Sequence, residues 1–370
     1  MNSNTKKKVL VSCMGYDAGK SGLSVYMRNV CANIDKNLYD VTLVVEYDAV
    51  DDFKDFDCIV VPKFFSKSAA GMLWHMFMAL FVNMKKYDFV LILAANRRLF
   101  AYSPIPSVGV VHDLAQYNLN GKYDFLRMFF LKYIQPFFGR KLSKVLAISA
   151  ATKSDVLKHW GLSDDLVNVV YNGIRAFPVP DDSILSKLDL DKYILYVSRI
   201  EHPNKNHFGL IEAFDLLPQN ISKSIKLVFA GSDWINADVV KARALKSPNR
   251  DNIVFAGFTT DSALASLYKN AYAFVFPSFY EGFGLGLVEA MNNGVPCACS
   301  TTDSLVEVAG GAALTFDASN KQQIADTLST LLSDDFVRST LISRGFSRAK
   351  DFSWQKHTQQ LFKMGLSCLK

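Results

Sequence analysis

The chain predicts an α/β protein with two parallel-sheet domains, and three observations support this. Short apolar runs alternate with stretches of helical spacing along nearly the whole sequence. The 370 residues are 50% hydrophobic and 21% charged, which is enough for two domains of ordinary size with their own cores. Glycine-rich turns follow two of the apolar runs, at Gly15–Gly22 and Gly282–Gly284. Parallel sheets bind ligands at the carboxyl ends of their strands, where such turns lie.

In the first half, Val9–Cys13, Val41–Glu46, Cys58–Val61, Phe89–Ala94, Val108–His112, Val145–Ser149 and Val167–Tyr171 read as strands. They are continuous apolar runs, the pattern of strands covered on both faces. Behind the first strand, Gly19-Lys20-Ser21 imitates the end of a P-loop. That motif needs glycine at position 14, where Met14 stands. A glycine-rich turn entering a helix, Val25–Ile34, is the better reading. Gly71–Met84 is apolar nearly all round, with Lys63 and Lys67 before it and Lys85 and Lys86 after. A helix without a polar face is expected to be buried; a membrane-surface helix is the alternative.

Gly121–Lys144 interleaves Lys122, Arg127, Lys132, Arg140, Lys141 and Lys144 with aromatic residues and is broken at Pro136. Such a segment suits an anionic membrane surface or a lipid-linked acceptor. The plainer reading is a helix packed on its own domain, its lysines snorkelling outward. No nucleic-acid motif accompanies it, so nucleic acid is not an expected partner.

Pro178, Pro180, Asp181 and Asp182 have linker composition. Beyond them Tyr193–Ser198, Ile225–Gly231, Ile253–Gly257 and Tyr272–Phe276 begin a second sheet. The expected boundaries are a first domain over 1–175, a linker over 176–190, a second domain over 191–350 and a terminal helix over 351–370.

The net charge of +6 is unevenly spread. Residues 1–175 hold 22 Lys/Arg against 15 Asp/Glu, and residues 176–370 hold 19 against 20. A basic first half fits an anionic lipid face or an anionic acceptor. No apolar run is long enough to span a bilayer. Lys6-Lys7-Lys8 leads into a strand-like run with no cleavage pattern, unlike a signal peptide. The six cysteines form no C-x-x-C pair, which fits core thiols in a reducing compartment. A cytoplasmic protein is therefore expected, extended by the basic segment to a peripheral position on the inner face of the membrane.

The densest chemistry lies in Pro277-Ser278-Phe279-Tyr280-Glu281-Gly282-Phe283-Gly284-Leu285, continuing to Glu289. An apolar strand precedes it. A helix comes next, ending at Asn293-Gly294 before Pro296. Gly282 and Gly284 let backbone approach a ligand closely. The new helix aims free N–H groups there, as a phosphate or sugar hydroxyl would need. Glu281 and Glu289 are acceptor-only groups that suit the paired hydroxyls of a polyol.

This stretch resembles the E-x7-E motif of the family-four retaining glycosyltransferases, which have the GT-B fold: two Rossmann-like domains facing each other across a cleft. The match includes Pro277-Ser278, Glu281-Gly282-Phe283-Gly284, Glu289-Ala290-Met291 and Gly294-Val295-Pro296. The resemblance implies that Glu281 contacts the donor sugar and Glu289 the nucleotide ribose, with Gly282, Phe283, Gly284 and Leu285 lining the donor. Arg199-Ile200-Glu201-His202-Pro203-Asn204-Lys205-Asn206 resembles the family's diphosphate clamp, with Asn206 where glycine is usual. Arg199 and Lys205 would then hold the departing diphosphate, since fixed cations stabilise developing charge in a dry cleft.

His112-Asp113-Leu114 resembles the segment whose histidine lines the sugar pocket; Asp113 would orient the imidazole or cap the next turn of chain. Gly22 corresponds to the family's glycine-rich loop. Ala147–Asp155, Val169–Ile174 and Ser353-Trp354 resemble further family segments, and the last implies a helix packing back on the first domain. Gly231 and Phe258, at strand ends, are candidates to approach the base.

The expected activity is transfer of a sugar from a nucleotide diphosphate donor to a hydroxyl of a glycan or lipid-linked acceptor, in cell-surface polysaccharide or glycolipid synthesis. His112, Glu281, Arg199 and Lys205 would be catalytic. No cofactor is expected and no metal, since Arg199 and Lys205 offer fixed cations in its place. The sequence leaves two other readings open. One is a glycosidase, nucleotide-sugar hydrolase or epimerase using Glu281 and Glu289 as an acid/base pair. The other is a non-catalytic carbohydrate-binding protein.

Overall fold

The computed structural model describes residues 6–19, 21–66, 68–118 and 128–369. Lys20, Lys67 and the first part of the basic segment, residues 121–127, lie outside them. The chain divides into two compact units. Residues up to Gly173 join those from Ser353 onward in the first, and Ile174–Phe352 form the second.

Among the described residues, the first unit has seven parallel strands: β1 (Lys7–Ser12), β2 (Tyr39–Glu46), β3 (Asp57–Val61), β4 (Phe89–Ile92), β5 (Ser107–Val111), β6 (Lys144–Ala147) and β7 (Val167–Val169). Their order is β3-β2-β1-β4-β5-β6-β7. The inner strands β4 and β5 are buried along their whole length, as their unbroken apolar sequences require. The order reverses between β1 and β4, and the glycine-rich turn leaves β1 at that point.

The helix Trp354–Leu366 covers this sheet from the far end of the chain. Its His357 lies 2.7 Å from the buried Tyr26 hydroxyl through Nε2. His357 Nδ1 lies 2.9 Å from the Tyr171 carbonyl. A carbonyl only accepts, so Nδ1 carries the proton and Nε2 accepts from Tyr26. Phe362 packs edge-on against Phe89 of β4.

Gly71–Met84 departs from its expected burial. Residues Ser68–Met76 form an α-helix and Met78–Leu80 a 3₁₀ turn. Trp74, His75, Met78 and Val82 are buried, whereas Leu73 is 52%, Phe77 45%, Leu80 78% and Phe81 59% exposed. The segment is apolar on both faces but covered on one.

The second unit holds β8 (Tyr193–Val197), β9 (Lys226–Ala230), β10 (Ile253–Gly257), β11 (Ala273–Phe276), β12 (Cys297–Ser300) and β13 (Ala313–Phe316). All are parallel, in the order β10-β9-β8-β11-β12-β13. Its reversal falls between β8 and β11. β12 and β13 were not anticipated: each has four residues, and Cys-Ala-Cys-Ser has none of the branched or aromatic residues that mark strands. The six cysteines are free, four of them buried.

Candidate active site

In an open parallel sheet the crevice where strand order reverses is the natural ligand site. In the second unit that place is built by the loops leaving β8 and β11. Tyr196 of β8 holds them together: its buried hydroxyl donates to the Lys205 carbonyl at 2.9 Å and lies 3.1 Å from Ser278 Oγ. The Phe279 N–H donates to the Asn204 carbonyl at 2.9 Å. Ser300 Oγ and Thr302 Oγ1 donate to the Ser278 carbonyl, and Ser304 Oγ to that of Glu281. Residues 277–281 are thus fixed from both sides.

This scaffold brings Lys205 and Glu281 into contact. Lys205 Nζ donates to Glu281 Oε1 at 2.6 Å, with both side chains mostly out of solvent. Asn206, where the related motif has glycine, adopts the left-handed conformation, φ 52°. Asparagine is among the few non-glycine residues that tolerate it. Its Oδ1 also accepts the Gly209 N–H at 3.2 Å, capping the helix His207–Asp215. Asparagine thus suits this backbone position and caps the helix. Arg199 lies over the Trp234 ring, 4.6 Å from its centroid.

Gly231 directly follows β9 with φ +152°, and a Cβ there would stand 1.9 Å from the Ser198 carbonyl oxygen. Its place is therefore set by close packing under the Arg199 loop. Gly284 has φ +98° and opens the helix Leu285–Asn292, whose first residue is Leu285. Phe283 is buried against Phe352, 5.7 Å between centroids. Gly282 lies in the turn between Glu281 and Phe283, half-buried. Phe258, just past β10, is 62% exposed, an aromatic face open to stacking.

Glu289 sits inside the protein. Arg175 donates through Nε to Oε1 at 3.0 Å and through Nη2 to Oε2 at 3.2 Å; Tyr268 donates to Oε2 at 2.9 Å. Arg175 also donates to Asp261 Oδ1 at 2.8 Å and lies over Phe177. Burial pushes the Glu289 carboxyl up from its ordinary range, against the pull of Arg175 and the Tyr268 hydrogen bond. A carboxylate engaged on both oxygens is a poor proton shuttle, which counts against Glu281 and Glu289 acting as an acid/base pair.

His112 and Gly22 belong to the first unit. His112 comes directly after β5, and its Nε2 lies 2.7 Å from the Leu93 carbonyl. The carbonyl only accepts, so Nε2 is protonated and Nδ1 carries the lone pair. Burial pulls the imidazole down to about 4, so it is neutral at physiological pH. The partner that orients it is Leu93. Asp113 instead accepts the Ala115 N–H at 3.3 Å, capping the short helix Ala115–Asn118. Gly22 is exposed at the start of the helix Gly22–Ala32. The turn before it is pinned by Glu46, whose two oxygens accept the Gly15 N–H at 2.8 and 3.1 Å.

Residues 20–176 match the family described as Glycosyltransferase Family 4, and residues 181–348 match Glycosyl transferases group 1. The chain belongs to the family-four glycosyltransferases. It is 33% identical over 223 residues to an Escherichia coli O-antigen chain mannosyltransferase B, covering 58% of each chain. It is 29% identical over 264 residues to the E. coli serotype-specific mannosyltransferase WbdA, covering 68% of this chain and 32% of that one. The aligned stretch is thus little more than half of one relative's length and about a third of the other's. Anabaena HepE, solved in complex with UDP and glucose, superposes with a TM-score of 0.75 over 98% of this chain and 100% of its own, at 17% identity. The two sheets are those of the GT-B fold.

Two residues of the candidate site escaped the sequence reading: Arg175 and Tyr268. Arg175 directly succeeds the Asn172-Gly173-Ile174 segment, but its partner Glu289 lies 114 positions away. No local pattern links them. An ionisable residue beside a family segment was the one available hint.

Proposed function

We propose that the protein is a retaining, metal-independent glycosyltransferase. It moves a sugar from a nucleotide diphosphate donor to a hydroxyl of a glycan or lipid-linked acceptor during synthesis of a cell-surface polysaccharide. The observation that carries this is the Lys205–Glu281 pair, joined between the loops leaving β8 and β11, the first of which also carries Arg199. Lys205 has three donors and spends one on Glu281. The others, with Arg199, face the charge that grows on a departing diphosphate. Two cations fixed in place supply without a metal what such a leaving group requires.

Glu281, held at the same point, accepts a hydroxyl of the sugar as the oxocarbenium-like transition state forms. Glu289, held in place by Arg175, receives the ribose hydroxyls. His112, in the first unit, presents Nδ1 as a hydrogen-bond acceptor. Retention rests on the family. The named activities of the two E. coli relatives support mannose as the first sugar to try, and the UDP complex of HepE supports a nucleotide donor.

The test is a panel of nucleotide sugars, including guanosine diphosphate mannose and UDP-glucose, screened by thermal shift. The best ligand is then incubated with and without a lipid-linked glycan acceptor. Nucleotide diphosphate release that depends on acceptor, and a product with the donor's anomeric configuration by NMR, is the expected result. Equal release without acceptor would make the protein a hydrolase.

A further inference from the structure

We infer that the segment Lys63–Lys86 is the anchor by which this protein docks on an anionic bilayer surface, with its outward apolar residues entering the headgroup boundary. The outward residues are Leu73 on the helix and Phe77, Leu80 and Phe81 just beyond it, with Phe64, 80% exposed, shortly before the helix in sequence. Exposed apolar clusters of this size on a soluble fold mark a contact surface. Phe81 stacks on the buried Trp74, ring planes 8° apart, so the outer residues stand on a rigid base.

Charge selects the partner. Residues 58–87 contain four lysines and no acidic residue. Across 58–154 there are 13 Lys/Arg against 3 Asp/Glu, an excess of +10, although the whole chain carries only +6. The rest of the protein is net negative. An exposed apolar face flanked in sequence by lysines, with no carboxylate among them, complements an anionic lipid surface.

The described part of the basic aromatic segment borders this face. Phe129, Tyr133 and Phe137 are each at least half exposed, at i, i+4 and i+8 on a helical stretch. Ala101 joins the two: its N–H donates to the Met76 carbonyl at 2.8 Å, and its own carbonyl accepts from Lys141 Nζ at 3.3 Å. Among the described residues no helix is long and apolar enough to cross a membrane, so the contact is one of surface insertion.

The docking surface belongs to the first unit and stands independently of the proposed transfer reaction, although a lipid-linked acceptor would give it a purpose. The test is co-sedimentation of the whole protein with vesicles of phosphatidylcholine alone, or with one third phosphatidylglycerol, at low and high salt. Two variants accompany the parent: Phe77→Ser/Leu80→Ser/Phe81→Ser and Lys85→Gln/Lys86→Gln. Each of the substituted residues is exposed, and melting temperatures check that both variants fold.

The parent is expected to bind the anionic vesicles and to release as salt rises. Binding should fall about fivefold for each lysine removed and about tenfold or more in the apolar variant. Lack of binding by the parent at low salt overturns the proposal. Parental binding by the apolar variant overturns the placement of the anchor. A parent that is dimeric by light scattering, and becomes monomeric in the apolar variant, assigns the face to a second copy instead. Acceptor-dependent transfer to a soluble acceptor should be unchanged in both variants; if vesicle binding fails while that transfer persists, the docking inference falls and the proposed function stands.

Discussion

Replacing Arg175 by methionine removes the cation from Glu289 while keeping most of the apolar stem. The Arg175 and Glu289 side chains are 16% and 3% exposed, so the pair is largely out of solvent. Breaking one side of a buried pair costs about 3–5 kcal/mol, and the residual exposure of Arg175 argues for the low end, about 3 kcal/mol. In a unit of roughly 180 residues that is a fall of about 6–12 °C in Tm. The loss should depend on pH. Glu289 is already raised by burial, and without Arg175 it rises further. A carboxyl raised in the folded state stabilises most below its unfolded pKa and loses that contribution as pH climbs through the folded value. The Tm deficit of Arg175→Met should therefore widen from about pH 5 to about pH 8. Nucleotide affinity should change in the opposite sense, weakest at the acid end, where a protonated Glu289 accepts ribose hydroxyls poorly. Arg175→Lys keeps the charge but lacks the two-pronged fork and should fall between. Calorimetry and nucleotide titration at three pH values check this. A variant that melts with the parent and binds nucleotide equally at every pH would refute the role given to Arg175.

Lys205→Ala should lower turnover by about 10²–10³ while the fold survives; near-parental turnover would mean that the diphosphate is held elsewhere. Turnover should persist in excess chelator, and a complete loss restored by magnesium or manganese would refute metal independence. Gly231→Ala forces a Cβ against the Ser198 carbonyl and should cost about 1–3 kcal/mol. It should also weaken nucleotide binding by displacing the Arg199 loop; both are read by melting with and without ligand. Because His112 titrates near 4, kcat/KM between about pH 6 and 8 should show no histidine limb from it. An acid limb near neutrality that disappears in His112→Gln would contradict a neutral imidazole.

Much of the fold was legible because parallel strands announce themselves: β1, β2, β4 and β5 are runs of Val, Ile and Leu that nothing else explains. β12 hid behind small residues, and β13 behind its short length. The Glu281 turn was legible since glycines, a proline and the carboxylates occur within a few positions. Arg175 was not, because it meets Glu289 through tertiary contact. The segment after Gly71 shows a different limit. Composition says that a helix is apolar on all sides, but which side the fold covers depends on neighbours that the local sequence does not name. Asn206 shows the reverse: a departure from a motif that backbone conformation explains at once.

The terminal helix also sets an order of events in the cell. Tyr26 waits for His357, a partner synthesised 331 residues later. The second unit, 174–352, lies wholly within that interval. On the ribosome the unit that emerges first is therefore completed last, with one face of its sheet uncovered while the other unit is made. Chaperones that hold nascent apolar surface have their natural client in this interval. A nonsense mutation just before Ser353 would leave the second unit whole yet release a protein whose first unit lacks its last helix.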